Sequence, residues 1–327
     1  MFHWENNNSC AILSSMILTV TPNPLLDFIL HEERPPTPGG HRVRSIKWTV
    51  GGKGINVARM LKTLGRPALA LTFAGGPNGE RIRSRLKDQG ISAYFIQTEK
   101  ETRSGINFVI DEPPSQTWWI EEGEPLTTVE CMTMFEAVYR EREKARFIAM
   151  SGSVPGPGQA SFYRCLLEKI HGFNGEIYLD ARGETLREAT RVGGFFLKHN
   201  RDECLETFGL DPLNIADHPK LLSEFKRHGI TGALITDGPR PATLLDHVSA
   251  TYLLPPEIQE VSSVGSGDAA LAGFIFARSE GKSLVESARW ALAAGAADAC
   301  HAGPCEASFP DIERLLGRVI IEKTVST

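Results

Sequence analysis

Short apolar runs alternate along the chain with longer segments whose apolar residues recur at helical spacing. The runs Met16–Val20, Ala68–Phe73, Tyr94–Ile96, Arg146–Met150, Glu176–Leu179, Gly194–Leu197 and Ala233–Thr236 predict strands of a core sheet. Helices are predicted near Ile55–Leu64, Gly79–Gln89, Ser161–His171, Arg201–Phe208, Pro219–His228, Ala269–Arg278 and Leu284–Cys300. Strands that take turns with helices are the signature of a parallel sheet covered on both faces, an α/β fold. The segment Gly105–Glu122 breaks this rhythm: two short alternating apolar stretches flank Asp111-Glu112-Pro113-Pro114-Ser115, and no helix follows. A hairpin is predicted there, and hairpins do not belong inside a doubly wound sheet, so a small β appendage is expected. The chain shows no internal repeat, linker or low-complexity tract.

One predicted helix opens from Val264-Gly265-Ser266-Gly267-Asp268-Ala269-Ala270. Backbone N–H groups of a glycine turn, added to the unpaired N–H groups of a helix start, form an anion site. An aspartate at the mouth of such a site is repelled by the anion and needs another reason to be there. Taking a proton from a hydroxyl that attacks a phosphoryl group is such a reason. Two other readings fit this turn taken alone. It could be a plain strand-to-helix turn, or Gly265-x-Gly267-x-x-Ala270 could be a relaxed dinucleotide fingerprint. That fingerprint should follow the first strand of a βαβ unit, with an acid closing the second strand about twenty residues on. Here the residues Leu284–Ala291 read as helix, and the motif lies near the end of the chain.

A second glycine turn, Val50-Gly51-Gly52-Lys53-Gly54-Ile55-Asn56, also opens a helix, whose Ile55, Ala58, Met60 and Leu61 form a buried stripe. Lys53 and Asn56 fall in its first turn, where they can point at a ligand. The P-loop pattern G-x-x-x-x-G-K-[ST] does not occur in the chain. Together the two turns resemble the ribokinase-like (PfkB-type) carbohydrate kinases, whose signatures are a GGKGxN-type N-terminal motif and a GAGD-type C-terminal motif. The resemblance runs roughly from Ile17 to Gly303. Asn23-Pro24-Leu25-Leu26-Asp27 looks like the family's N-P-x-x-D substrate turn, and Thr102-Arg103 like the T-R stretch of the 1-phosphofructokinase and tagatose-6-phosphate kinase branch. Met150-Ser151-Gly152-Ser153-Val154-Pro155 matches that branch's S-G-S-x-P turn. Lys198-His199-Asn200-Arg201-Asp202-Glu203 is similar to K-P-N-x-x-E, and Thr236-Asp237-Gly238 to a nucleotide-loop S/T-x-G.

The resemblance implies a three-layer α/β/α ribokinase-like domain over residues 15–327, with a mostly parallel central sheet and a small β lid inserted from roughly 28–50 and 102–122. Residues 1–14 read as a poorly ordered extension. It further implies an ATP- and Mg²⁺-dependent phosphotransferase in which Asp268 is the base and Gly265, Ser266 and Gly267 stabilise the transferred phosphoryl group. Asp27, Gly51, Gly52, Lys53, Asn56, Arg103 and Ser151 would hold the sugar. Lys198, Asn200, Glu203, Thr236 and Gly238 would hold ATP, with Asn200 and Glu203 reaching Mg²⁺ through water. A sugar phosphate brings about two negative charges and calls for cations, here Lys53 and Arg103, with Arg42 and Arg44 in the lid-side segment. Lys53 is not diagnostic, because ribokinases also carry G-G-K-G, and it is Arg103 in the T-R stretch that favours a ketose phosphate. Fructose 1-phosphate is the first candidate, then tagatose 6-phosphate or fructose 6-phosphate. A kinase for an unphosphorylated sugar or nucleoside, and a non-catalytic binding protein of the same fold, are the alternatives.

The chain departs from the family pattern at four places. His199 replaces a usual Pro, which should loosen that backbone; Ser266 stands where Ala is commoner; Gly105 stands where an Asn often follows T-R; and Pro241 stands where a second Gly is usual. Asn200-x-x-Glu203 also reads as a helix capping pair, and Asp268 as a helix N-cap.

At 327 residues and a formal net charge of −5, the chain can bury one large core and carries no basic field that would recommend nucleic acid. No apolar run approaches a membrane span, and the start does not read as a secretory signal, so a cytoplasmic enzyme is expected, dimerising through the lid. Cysteines at 10, 131, 165, 204, 300 and 305 lack the paired spacing of a zinc site.

Overall fold

The computed structural model describes residues 16–35, 39–40, 42–43, 46–66, 68–110, 112 and 115–326. The expected extension, Arg44, and Asp111, Pro113 and Pro114 of the hairpin turn lie outside the described residues.

The chain runs β1 (Met16–Thr21), β2 (Leu25–Glu32), β3 (Lys47–Gly51), α1 (Lys53–Thr63), β4 (Ala68–Ala74), α2 (Gly76–Asp88), β5 (Ala93–Gln97), β6 (Ser104–Ile110) and β7 (Ser115–Ile120). It continues through α3 (Thr128–Glu141), β8 (Ala145–Ser151), α4 (Phe162–Lys169), β9 (Glu176–Asp180), α5 (Gly183–Ala189), β10 (Phe195–Asn200), α6 (Arg201–Phe208), α7 (His218–Arg227) and β11 (Ile230–Asp237). Last come β12 (Arg240–Leu245), β13 (Ser249–Leu254), α8 (Ser266–Ser279), α9 (Leu284–Ala299), α10 (Phe309–Leu316) and β14 (Ile320–Ser326).

Among the described residues ten strands form the main sheet in the order β14-β13-β12-β11-β10-β9-β8-β1-β4-β5. The strands from β5 to β11 pair in parallel, and β12, β13 and β14 extend the edge antiparallel. Strands covered on both faces read as continuous apolar runs because neither face meets water. In β1, Ile17 packs into one core with α1, α8 and α9, while Leu18 and Val20 pack into the other with α3 and α4.

The seven parallel strands are the seven that the apolar runs predict. The antiparallel edge was not anticipated, because a strand–helix alternation has no place for consecutive hairpin strands. Helix α3 was missed too, although Thr127 and Glu130 form a capping box at its start. Its apolar stripe is blurred by Val129 and Met132, which face solvent.

A separate four-stranded sheet has the order β3-β2-β6-β7. One of its faces sends Leu26 and Val50 into a core with Ile55 of α1 and Ile82 of α2. Alternation turns Asp27 to the opposite face, and its register partners Thr49 and Gly105 with it. This lid is wired into the main sheet at both ends: β2 leaves from the end of β1 after a short turn, and β3 runs directly into α1 through Gly51 and Gly52.

Candidate active site

Ligands of open α/β sheets lie at the carboxyl ends of the strands, and here those ends gather polar residues. Ser151 closes β8 in register with Asp180, which closes β9. Asn200 closes β10 in register with Thr236. Above them the two glycine turns start α1 and α8. Gly52 caps α1 with φ 126°, and a Cβ there would stand 2.7 Å from Thr21 Cγ2. Gly265 caps α8 with φ 86°, and its Cβ would meet Pro304 at 2.5 Å. Both positions need a residue without a side chain for steric as well as dihedral reasons.

The loop behind Gly265 is held by Asp298, whose carboxylate accepts from the N–H groups of Cys305 (3.1 Å) and Glu306 (2.9 Å). Cys305 packs its thiol under the Gly265 carbonyl at 3.8 Å, so it serves as floor to the turn. Among the described residues no group of three or more His, Cys, Asp or Glu side chains is placed to hold a metal ion directly.

No side chain caps the first turn of α8; the Ser266 N–H donates to the Ser263 carbonyl at 3.2 Å, which leaves the Gly267 and Asp268 N–H groups for an outside acceptor. Asp268 lies in that turn but is not the cap. It is 6 % exposed and accepts from Asn56 Nδ2 at 2.7 Å. Burial pushes its pKa up to about 7, against the pull of Lys53 and with the repulsion of Asp180. Asn56 is held in turn by Arg59, whose Nη1 donates to Asn56 Oδ1 at 2.6 Å and whose Nη2 donates to the Val50 carbonyl at 2.7 Å.

Lys53 Nζ lies 2.8 Å from Asp180 Oδ1. Burial works against the Lys53 ammonium, but Asp180, Asp268 and Glu203 together raise its pKa above the ordinary lysine value. Burial likewise works against ionised Asp180, yet Lys53 and Lys198 hold it below the usual carboxylate range. Lys198 is buried and donates to Thr236 Oγ1 at 2.9 Å; burial lowers its pKa against the attraction of Asp180 and Glu203. Asn200 and Glu203 form a complete capping box at the start of α6. Oε2 of Glu203 is the oxygen used in it, and the carboxylate attracts Lys53 and Lys198 through space. His199 does not loosen β10 as expected: its Nε2–H donates to the Ala181 carbonyl at 2.6 Å and ties β10 to the end of β9.

Asp27, on the lid, is 9 % exposed. Burial raises its pKa to about 6, and among the described residues its Oδ1 has no hydrogen-bond partner. Ser151 Oγ and Ser266 Oγ are orphaned in the same way. Buried polar atoms are almost always paired, so three orphans around two glycine turns mark a place for ligand groups. An added Cβ at Gly267 would meet nothing within 4 Å, so the first turn of α8 opens on free space.

Arg103 is engaged differently. Its Nε donates to the Pro24 carbonyl (3.3 Å), Nη1 to Glu121 O (3.1 Å) and Nη2 to Asn23 O (3.0 Å). It clamps the turn between β1 and β2 to the end of β7, and each terminal nitrogen keeps one donor free. Its electrostatic neighbour is Glu121 rather than the Asp268 cluster. Arg42 is exposed ahead of β3. The structure thus brings Lys53, Asn56, Lys198, Glu203 and Asp268 into one electrostatic cluster, with Asp27 and Arg103 on the lid side.

Sequence reasoning missed Asp180 and Arg59. A carboxylate closing a predicted core strand, and an arginine three residues after Asn56 on one helix face, were the signals available.

The pfkB family carbohydrate kinase profile matches residues 23–312. The chain belongs to the pfkB carbohydrate kinase family. This pfkB kinase is 28% identical over 308 residues to the 1-phosphofructokinase of Borreliella burgdorferi, covering 94% of this chain and 98% of that protein. It is 27% identical over 301 residues to the ATP-dependent 6-phosphofructokinase isozyme 2 of Escherichia coli, covering 91% and 97%. The crystal structure of phosphofructokinase-2 from Escherichia coli in complex with potassium superposes with a TM-score of 0.86 at 25% identity, over 93% of this chain and 98% of that one. As a carbohydrate kinase of this family the chain is a phosphotransferase, and its fold is the ribokinase-like one. Among the described residues no helix is long and apolar enough to cross a membrane.

Proposed function

We propose that this chain transfers the γ-phosphoryl group of ATP to a hydroxyl of a ketose phosphate, with fructose 1-phosphate first among candidates and tagatose 6-phosphate or fructose 6-phosphate next. The observation that carries the reading is Asp268: a buried carboxylate, not used as a cap, in the first turn of a helix that no side chain caps. Asp268 takes the proton of the sugar hydroxyl as that oxygen forms its bond to the γ-phosphorus. The bond from phosphorus to the bridging oxygen breaks, and its electron pair leaves with ADP. The N–H groups of Gly265–Gly267 and the Lys53 ammonium meet the charge on the transferred oxygens, usually the largest catalytic contribution. Asn56 keeps the Asp268 carboxylate aimed.

Asp27 and its orphaned oxygen accept from a sugar hydroxyl, and Gly51 and Gly52 present backbone groups beside it. The two free N–H donors of Arg103 face the sugar's phosphate across the lid hinge. Lys198, Thr236 and Gly238 line the ATP side. The carboxylate of Glu203, with Asn200 beside it, suits the water shell of Mg²⁺, which keeps several waters and takes few protein ligands. When bound, the ion neutralises charge on the β- and γ-phosphates.

The names of the relatives support a phosphorylated ketose. The lid supports a homodimer, because its edge strand β7 and its neighbour β6 expose Trp119 (62 %) and Ile106 (38 %), opposite each other in register on the face away from Asp27. ADP release over a panel of sugars and sugar phosphates, wild type beside Asp268→Ala, tests the reaction. Mg²⁺-dependent turnover of one phosphosugar that the variant abolishes is expected. A silent panel, or an equally active variant, overturns it.

A further inference from the structure

Among the described residues a chain of side chains joins the lid to the loop before the glycine turn of α8. Residues opposite each other in register share a face of a sheet, and alternate residues along a strand share it too. Asp27 opposes Gly105 and Ile29 opposes Asn107, while Gln116 opposes Val109, two residues beyond Asn107 on β6. Asp27, Asn107 and Gln116 therefore lie on the cleft face of the lid. Gln116 Nε2 donates to Asn107 Oδ1 at 3.0 Å. Its Oε1 accepts from Ser262 Oγ at 3.1 Å, across 146 residues of sequence. Ser262 Oγ accepts in turn from the N–H of Val264 at 3.3 Å, immediately before Gly265. Asn107 is 5 % exposed and Ser262 is 7 % exposed, so these bonds are shielded from competing water.

From behind, the same loop is pinned to the end of α9, where the Ala299 carbonyl accepts from Val261 N (2.8 Å) and Ser262 N (3.2 Å). The loop before the catalytic turn is thus held on one side by the main domain and on the other by the lid.

We propose that Gln116 is a positioning residue that latches the lid to the phosphoryl-transfer turn, so that the turn takes its working shape when the lid lies over the sugar. The proposal rests on the kinase reading above. With the lid lifted, Ser262 Oγ–H loses its acceptor, and the hydroxyl is free to rotate away from Val264 N. Donor follows acceptor in one direction from Val264 through Ser262 to the Gln116 carbonyl, an arrangement in which each bond strengthens the next. Closure over the sugar and order in the turn that receives the phosphoryl group then become one event, which disfavours phosphoryl transfer to water while the lid is open.

A double-mutant cycle tests it, using Gln116→Leu and Ser262→Ala with ATP and either fructose 1-phosphate or fructose 6-phosphate. Each single change is expected to lower kcat about fivefold, the worth of one ordinary hydrogen bond, with little change in the KM for ATP. The double variant should be no worse than either single one. Gln116→Glu keeps an acceptor for Ser262 and lets the Asn107 amide turn round to donate, so it should retain most of the activity. Losses that add, or Gln116→Glu as impaired as Gln116→Leu, would overturn the latch; so would a fall in melting temperature with kcat intact, the mark of a merely structural bond.

Amide exchange in residues 261–268 of the ligand-free protein supplies a readout that needs no turnover. It should quicken equally in both single variants and no further in the double. Unchanged exchange sinks the latch whatever the kinetics. A wild type silent on every phosphosugar sinks the kinase reading instead, while the exchange result still stands or falls by itself.

Discussion

Asn56 Nδ2 donates to Asp268 Oδ2 at 2.7 Å, joining the two glycine turns across 212 residues of sequence. Each turn alone is a common way to start a helix. Their side chains meet because α1 and α8 pack on the same face of the main sheet, in one apolar core.

Asp268→Asn keeps an oxygen for Asn56 and removes the proton acceptor. Its kcat should fall by about 10²–10⁴, the usual worth of a general base. Stability should move the other way. Folded Asp268 has a pKa raised to about 7 from 3.8, so between those values the native chain holds a proton that the unfolded chain releases, and stability drops as pH rises through that window. The asparagine variant escapes this, and its melting temperature at pH 8 should exceed that of the wild type.

The same carboxylate sets a pH profile. Because the base works only when ionised, kcat/KM for the free enzyme should climb about tenfold per pH unit toward neutrality and level off near 7. Asp27, pushed by burial to about 6, should steepen the fall below pH 6. Asp27→Asn should raise the KM for the sugar and remove that extra slope; a profile flat from pH 5 to 8 would exclude both assignments.

Arg59 is hydrogen-bonded to Asn56 and feels Asp268 through space. Arg59→Met preserves much of the stem and deletes the bonds to Asn56 Oδ1 and the Val50 carbonyl. A loss of about tenfold in kcat/KM is expected, comparable to one charge-assisted hydrogen bond. In an Asn56→Ala background the loss should shrink, since the group being positioned is gone.

Asp180 sits between two lysines. Asp180→Asn leaves buried Lys198 with less counter-charge, and burial already lowers the pKa of that ammonium. The alkaline limb of the kcat profile should therefore shift to lower pH, the reverse of what loss of a base would do. Activity should also fall at least tenfold, because Lys53 loses the negative charge of its 2.8 Å partner.

Much of this was legible in the order of residues. The parallel strands showed because a strand covered on both faces must be apolar throughout, and the lid because Gly105–Glu122 alternates with a period of two; the expectation that no helix follows it fails, since α3 starts at Thr128. The Asn200–Glu203 pair was readable as a capping box, since its geometry spans one helical turn. Other features were hidden by the same logic. Val129 and Met132 face solvent and disguise α3, and β11, β12 and β13 form consecutive hairpins where a helix was the expected companion, with β14 returning after three helices to pair with β13.

The sequence by itself determined the glycine turns, the strand order's α/β character and the inventory of acids, amides and cations, because backbone conformation and burial pattern are local or periodic properties. Only the tertiary structure decided which of them act together. It placed Asn56 on Asp268, Asp180 between Lys53 and Lys198, and Gln116 on Ser262. It also committed most of Arg103 to backbone carbonyls. Those pairings depend on how helices and lid pack against the two faces and the edge of one sheet. Contacts between residues far apart in the chain leave no period in the sequence from which they can be read.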